Sequence, residues 1–538
     1  MTSGDRQGMR RVRAWPRQPD ARLGTRGRAP ERPPISISVR RRAAASHAAR
    51  RRVECACLRN RPTNIGIFVT IKFVARMGAV LLAIAGGNVQ AAAFAPCADA
   101  GEFAALSGSL CARVEAPLVP SDADGAKVEL FVRKFPVAEG RPRRGEVWLV
   151  AGGPGEAGAS LYPALPALRR AFPDYELVMP DHRGTGYSTR LCPVEEALAS
   201  AGGSDLAGEE WGACIGSMYA DPARTQAFSI THAAHDLSDL IRAHRGDGPV
   251  HLYGVSYGTQ LALRMLQVAP VELDGLILDG LVPPEGATEW EISQRTHMAD
   301  AVGRASLTPE QRDTVARLVA HAQSGPAWLD EVPGKDIRQF LGRLLNFPVL
   351  RARIPALAEA LLRDDTTLLS RTVADLGDIG RALLPFPQSP PSMPLVMLIT
   401  GSENNSRPDL THEAVAKDAE GALFTSPLPG LAVEPPAPLY RRDASFGALP
   451  ARLPRTLVIQ GRLDPATPIE GARAHIAALS SLGDIQLTTV EGGAHALVLT
   501  GQGCFIDAVS VFMAGAKAPD SCSQAVVDDR AGAALPLM

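Results

Sequence analysis

Between residues 128 and 490 the chain repeatedly presents short apolar runs bounded by turn residues, at 128–135, 146–151, 175–180, 250–253, 275–278, 456–460 and 485–490. Several lack polar alternation, the pattern of strands buried on both faces. Segments of helical periodicity separate them. Residues 231–244 place Ala234, Leu237, Leu240 and Ile241 on one face, and 259–268 follow a run directly. Such alternation builds an α/β fold with a mostly parallel central sheet. It lapses from about 285 to 448, where 311–322, 336–345 and 354–362 read as helices and Pro-rich linkers follow at 385–394 and 427–438. An inserted helical cap is expected over 285–448, splitting the core into 94–284 and 449–538.

Charge separates off the first 93 residues. The whole chain of 538 residues carries a net charge of −1, with 56 Lys+Arg against 57 Asp+Glu. Residues 1–93 hold 19 bases and 4 acids; 94–538 hold 37 bases and 53 acids, a net of −16. Up to about Asn64 the segment is Arg-rich without apolar periodicity, and it cannot bury enough surface to order itself. No aromatic platform accompanies the charge, so a basic leader or translated upstream sequence is expected rather than a nucleic-acid-binding arm. A secretory signal follows: Lys72 and Arg76, the short apolar stretch 77–85, and Ala91-Ala92-Ala93 before an expected mature start at Phe94. The stretch is too short for a membrane span. The expected chain is periplasmic or secreted, with no membrane contact after cleavage and no nucleic-acid partner.

Beyond the leader stand six cysteines, and export favours disulfides among them. Fifteen connectivities are open. The simplest joins sequence neighbours: Cys97 with Cys111, Cys192 with Cys214, Cys504 with Cys522. No spacing suggests a metal site, and nothing calls for a cofactor.

Gly254-Val255-Ser256-Tyr257-Gly258 fits a nucleophile elbow, with a strand before it and a helix after it. So sharp a turn needs small neighbours at both glycines, and it lifts the Ser256 hydroxyl above the sheet edge. A serine needs a base. His495 directly follows the last apolar run and is selected by position from ten histidines beyond the leader. Asp464, after the run 456–460, is the expected third member, with Asp279 as competitor. The order Ser256, Asp464, His495 is that of the α/β hydrolases. Gly153, in a glycine-rich loop after an early strand, and Tyr257 are the expected oxyanion donors.

Gly152-Gly153-Pro154-Gly155, then Asp181-His182-Arg183-Gly184-Thr185-Gly186-Tyr187-Ser188, then G-V-S-Y-G-T resemble the α/β-hydrolase serine peptidases. These are the prolyl aminopeptidases and, more closely, the secreted tripeptidyl aminopeptidase-like proteins. Asp464-Pro465-x-Thr467-Pro468 and the two cysteines after His495 resemble the C-terminal segment of the tripeptidyl group. The likeness spans about residues 97–525. Where prolyl aminopeptidases have His and the tripeptidyl group has Asn-Pro, this chain has Ala151. The resemblance implies a secreted exopeptidase acting through an acyl-enzyme on a short peptide or other small acyl substrate. A carboxylic ester hydrolase on the same triad is the alternative. An aminopeptidase also needs a carboxylate for the substrate ammonium, with Glu156, Glu403 and Asp443 as candidates.

Overall fold

A computed structural model describes residues 93–524. The expected basic leader and signal sequence lie outside the described residues, apart from Ala93. Ten strands form one sheet: β1 (Ala95–Pro96), β2 (Leu110–Pro117), β3 (Lys127–Phe135), β4 (Gly145–Val150), β5 (Tyr175–Asp181), β6 (Val250–Val255), β7 (Gly275–Asp279), β8 (Thr456–Gly461), β9 (Ile485–Glu491) and β10 (Ser521–Ser523). Their order is β1-β2-β3-β5-β4-β6-β7-β8-β9-β10. Pairing is antiparallel from β1 through β5 and parallel from β5 through β10. The seven apolar runs are seven of these strands. Three strands were not expected: β1, β2 and β10.

The continuous runs have a physical cause. Trp148, Val150, Leu252 and Leu278 pack on one side of the sheet with helices Ile230–His244 and Tyr257–Val268. Val147, Leu149, Tyr253 and Ile277 pack on the other with helices Leu165–Ala171 and Gln502–Met513. Both faces are covered, so neither can be polar. β2 differs: Ala112, Val114 and Ala116 are buried while Arg113 and Glu115 are exposed.

Between β7 and β8 the described chain is helical, as expected. It includes Arg295–Ala305, Pro309–Ala322, Ile337–Leu344, Ile354–Leu361 and Thr367–Leu383. This segment has its own apolar cluster, from Ala299 to Phe424. The Pro-rich stretches are not plain linkers. Ser392 caps helix Met393–Glu403, with Pro394 in its first turn, where a missing N–H costs nothing. A short helix, Leu428–Leu431, interrupts the second stretch.

Among the described residues three disulfides join sequence neighbours, Cys97–Cys111, Cys192–Cys214 and Cys504–Cys522. Among the described residues no helix is long and apolar enough to cross a membrane.

Candidate active site

The carboxyl ends of adjacent parallel strands bring the sequence motifs together. The loop 152–155 follows β4, Ser256 follows β6, Asp279 ends β7, Asp464 follows β8 and His495 follows β9. This crevice is where α/β sheets bind ligands.

Ser256 has φ 54° and ψ −125°, between the end of β6 and a helix that begins at Tyr257. A non-glycine residue held there costs about 1–3 kcal/mol, which points to function. The flanking glycines are steric necessities. A Cβ at Gly254 would stand 2.5 Å from the Gly258 carbonyl oxygen, and one at Gly258 would stand 2.5 Å from that of Val150. Tyr257 opens the helix, so its N–H has no partner within the helix. Gly153 and Tyr257 line the same cavity as Ser256.

His495 Nδ1 donates to Asp464 Oδ2 at 2.8 Å. Asp464 is fully buried and also accepts from Ala466 N at 2.8 Å, Thr467 N at 2.9 Å and Thr467 Oγ1 at 2.8 Å. Burial pushes its carboxyl up, but the His495 charge and these hydrogen bonds outweigh it and hold the group below the usual carboxylate range. Burial pushes the His495 imidazole down, and Asp464 outweighs that too, leaving it above its ordinary value. The aspartate thereby fixes the ring and favours its protonated form.

Asp279 has a different task. Its carboxylate accepts from Leu497 N at 2.9 Å, Val498 N at 2.8 Å and Tyr253 Oη at 3.0 Å. It holds the turn just after His495, where Ala496 takes φ 55°. Burial pushes its carboxyl up to about 6, against the pull of those donors.

The D-H-R-G segment is a clamp below the site. Asp181 accepts from Gly158 N and Tyr187 N, each at 2.8 Å. Arg183, fully buried, grips Asp236 at 2.6 and 2.7 Å.

The cavity is about 250 Å³ and lies between this crevice and the helical segment. Met393, Val396 and Met397 supply apolar wall, and Glu285, Glu291, Glu403 and Arg295 supply charge. Of the three carboxylates expected near a substrate amine, only Glu403 lines it. Glu156 lies beside the glycine loop, its oxygen 3.3 Å from where a Gly152 Cβ would stand. Asp443 is exposed and accepts from Ser445 N at 2.8 Å. Glu285, Glu291, Arg295 and Thr467 were not singled out in the sequence. Only Thr467, inside the Asp464-Pro465-x-Thr467 motif, left a signal there.

Residues 147–502 match the α/β-hydrolase-fold family. The chain belongs to it. This hydrolase also resembles solved structures at low identity. A laboratory-evolved variant of potato epoxide hydrolase is 14% identical, with 72% of this chain and 96% of that chain covered and a TM-score of 0.33. A bromoperoxidase from Bacillus anthracis is 14% identical, over 75% and 100%, with a TM-score of 0.34. A thermophilic esterase from Thermogutta terrifontis is 15% identical, over 75% and 98%, with a TM-score of 0.30. No curated protein matches the hydrolase significantly by sequence.

Proposed function

We propose that this hydrolase is an exported serine exopeptidase that releases residues from the N-termini of short peptides. Ser256 Oγ attacks the substrate carbonyl. His495 takes the hydroxyl proton and returns it to the departing amine, while Asp464 holds the ring. The amides of Gly153 and Tyr257 stabilise the oxyanion. Water then attacks the acyl-enzyme, with His495 again as base. The observation that carries the reading is the left-handed Ser256 in its strand–helix turn. It shares a cavity with Thr467, whose Oγ1 lies 2.8 Å from Asp464 Oδ2 and 3.3 Å from His495 Nδ1.

The carboxylates that line the cavity support a peptide amine as ligand. Arg264 Nη2 reaches Glu285 at 2.7 Å and Glu403 at 3.4 Å. Two carboxylates on one guanidinium keep acceptor oxygens for a substrate ammonium. The motifs shared with the prolyl and tripeptidyl aminopeptidases agree, as does an inserted helical segment that restricts access to short or terminal substrates. Three disulfides support an oxidising compartment, periplasmic or extracellular. The apolar wall around Met393 and Met397 favours a second reading, a carboxylic ester hydrolase on the same triad.

Ser256→Ala should abolish hydrolysis of aminoacyl and tripeptidyl reporter amides. Unchanged turnover removes the nucleophile. Peptides with free and blocked N-termini, and amide and ester reporters with one leaving group, separate the two readings. Hydrolysis confined to blocked peptides or to esters rejects the aminopeptidase.

A further inference from the structure

Arg295 lines the cavity that holds Ser256. Among the described residues its guanidinium makes one hydrogen bond, from Nη1 to the Ala466 carbonyl, and no ion pair, while its Nε is buried without a partner. Burial lowers its pKa against the opposing pull of the Asp464 charge, and the Asp464 oxygens accept from His495, Thr467 and Ala466 rather than from Arg295. Glu291 lines the same cavity, but its oxygens accept from Ser293 Oγ and Ser406 N and it forms no ion pair with Arg295 among the described residues. Arg295 is also the first residue of helix Arg295–Ala305, the end where a cation opposes the helix dipole. Arg295 is half-buried, and a guanidinium that faces the cavity without an ion pair is free to take a ligand's anion. The other cavity arginine is spent: Arg442 donates to the carbonyls of Ser402, Glu403 and Asn405 and lies 4.0 Å from the Phe446 ring.

The position of Arg295 says which part of a substrate it meets. It bonds the loop that carries Asp464, and its charge acts on His495 as well as on Asp464. Through Ala466 it is tied to the loop whose Asp464 holds His495, which puts it on the side of the cavity where the imidazole returns a proton to the leaving amine. In a released amino acid the free carboxylate is one carbon removed from that nitrogen. A guanidinium fork matches a carboxylate with paired hydrogen bonds.

We propose that Arg295 binds the free C-terminal carboxylate of the leaving residue, so that the preferred substrates are short peptides whose leaving group is a single amino acid. This rests on Ser256 as nucleophile, with the Glu285–Glu403 cluster taking the free amine at the other end.

The test compares Ala-Ala with Ala-Ala amide. In the wild type, kcat/KM for the free acid should exceed that for the amide by about tenfold or more, chiefly through KM, the scale of one hydrogen bond to a charged group. Arg295→Gln should bring the ratio near one, and Arg295→Lys should keep part of it. Equal rates in the wild type, or a preference that survives in Arg295→Gln, overturn the proposal. Calorimetry on Ser256→Ala reads the contact without turnover. The free acid should bind more tightly than the amide, and the difference should vanish on adding Arg295→Gln. That result stands even if peptide hydrolysis fails, and equal or undetectable binding of the two overturns the proposal independently.

Discussion

Two buried aspartates flank the His495 turn, and replacing each by asparagine should separate catalysis from scaffolding. In Asp464→Asn the oxygen facing Ala466 N and Thr467 N is kept, so the loop after β8 keeps its backbone bonds at 2.8 and 2.9 Å. The other position becomes an NH₂ facing His495 Nδ1 at 2.8 Å. An NH₂ there donates, so the imidazole must carry its proton on Nε2 and has no lone pair for the Ser256 hydroxyl. In triads of this type the same change costs about 10⁴-fold in kcat, or about 5.4 kcal/mol at ~1.36 kcal/mol per decade. Asp279→Asn acts elsewhere. Its two oxygens take Leu497 N and Val498 N separately, and one must become an NH₂ facing an N–H. Loss of one hydrogen bond to a charged acceptor costs about 1.5–3 kcal/mol of stability. Some rate is lost as the turn shifts, on the order of 10²-fold for ~1 Å of misplacement. The assay is kcat on an ester reporter alongside thermal melting of both variants. Asp464→Asn, which also loses the acceptor for Gln460 Nε2, should be nearly inactive although folded; Asp279→Asn should melt below the wild type and stay the more active. The reverse ranking in activity, with both folded, would refute the assignment of Asp464.

The Asp464 carboxylate and its hydrogen bond raise the His495 pKa above 6.5, and the base must be neutral to act, so activity is lost as pH falls through that raised value. The acidic limb of kcat/KM should have its midpoint above 6.5, and a midpoint below it contradicts the pairing. Gly258→Ala drives a Cβ toward the Val150 carbonyl oxygen and should cost about 1–3 kcal/mol by overpacking, read as a lower denaturation midpoint together with lost activity. Arg183→Met leaves Asp236 buried without its cation and should cost about 3–5 kcal/mol; adding Asp236→Leu should recover much of it in urea melts, and no recovery would mean that the carbonyl contacts of Arg183 dominate.

Legibility in the sequence followed burial. β4, β6, β7 and β8 were readable because both faces are covered and every position is buried, which makes most of them apolar. β2 was not, because exposed Arg113 and Glu115 interrupt small buried residues and leave no run to see. Ser256 was legible because steric demand fixes its two glycines. Asp464 and Asp279 follow adjacent strands, so position alone made both candidates, and only their donors distinguish them: a ring nitrogen for one, backbone amides for the other. Arg295 was one base among 37 beyond the leader. Its isolation is created by Ala466, 171 residues away, and by carboxylates already engaged elsewhere. No local pattern encodes such a relation.

The acidity of the chain and the half-buried Arg295 act at different ranges. Residues 94–538 carry −16 in net charge, so an approaching anion is repelled at distances up to a Debye length. A peptide with both termini free is neutral overall and approaches without that penalty, whereas an N-blocked peptide arrives as a net anion. Once inside, the two ends of the neutral peptide meet separate partners: the Glu285–Glu403 cluster for the ammonium and Arg295 for the carboxylate. Each of those groups is held by hydrogen bonds before substrate arrives, so little ordering remains to oppose binding. The long-range field thus screens for charge neutrality, and the cavity screens for where the two opposite charges sit. A blocked amine fails the first screen and leaves the acidic cluster unmatched at the second.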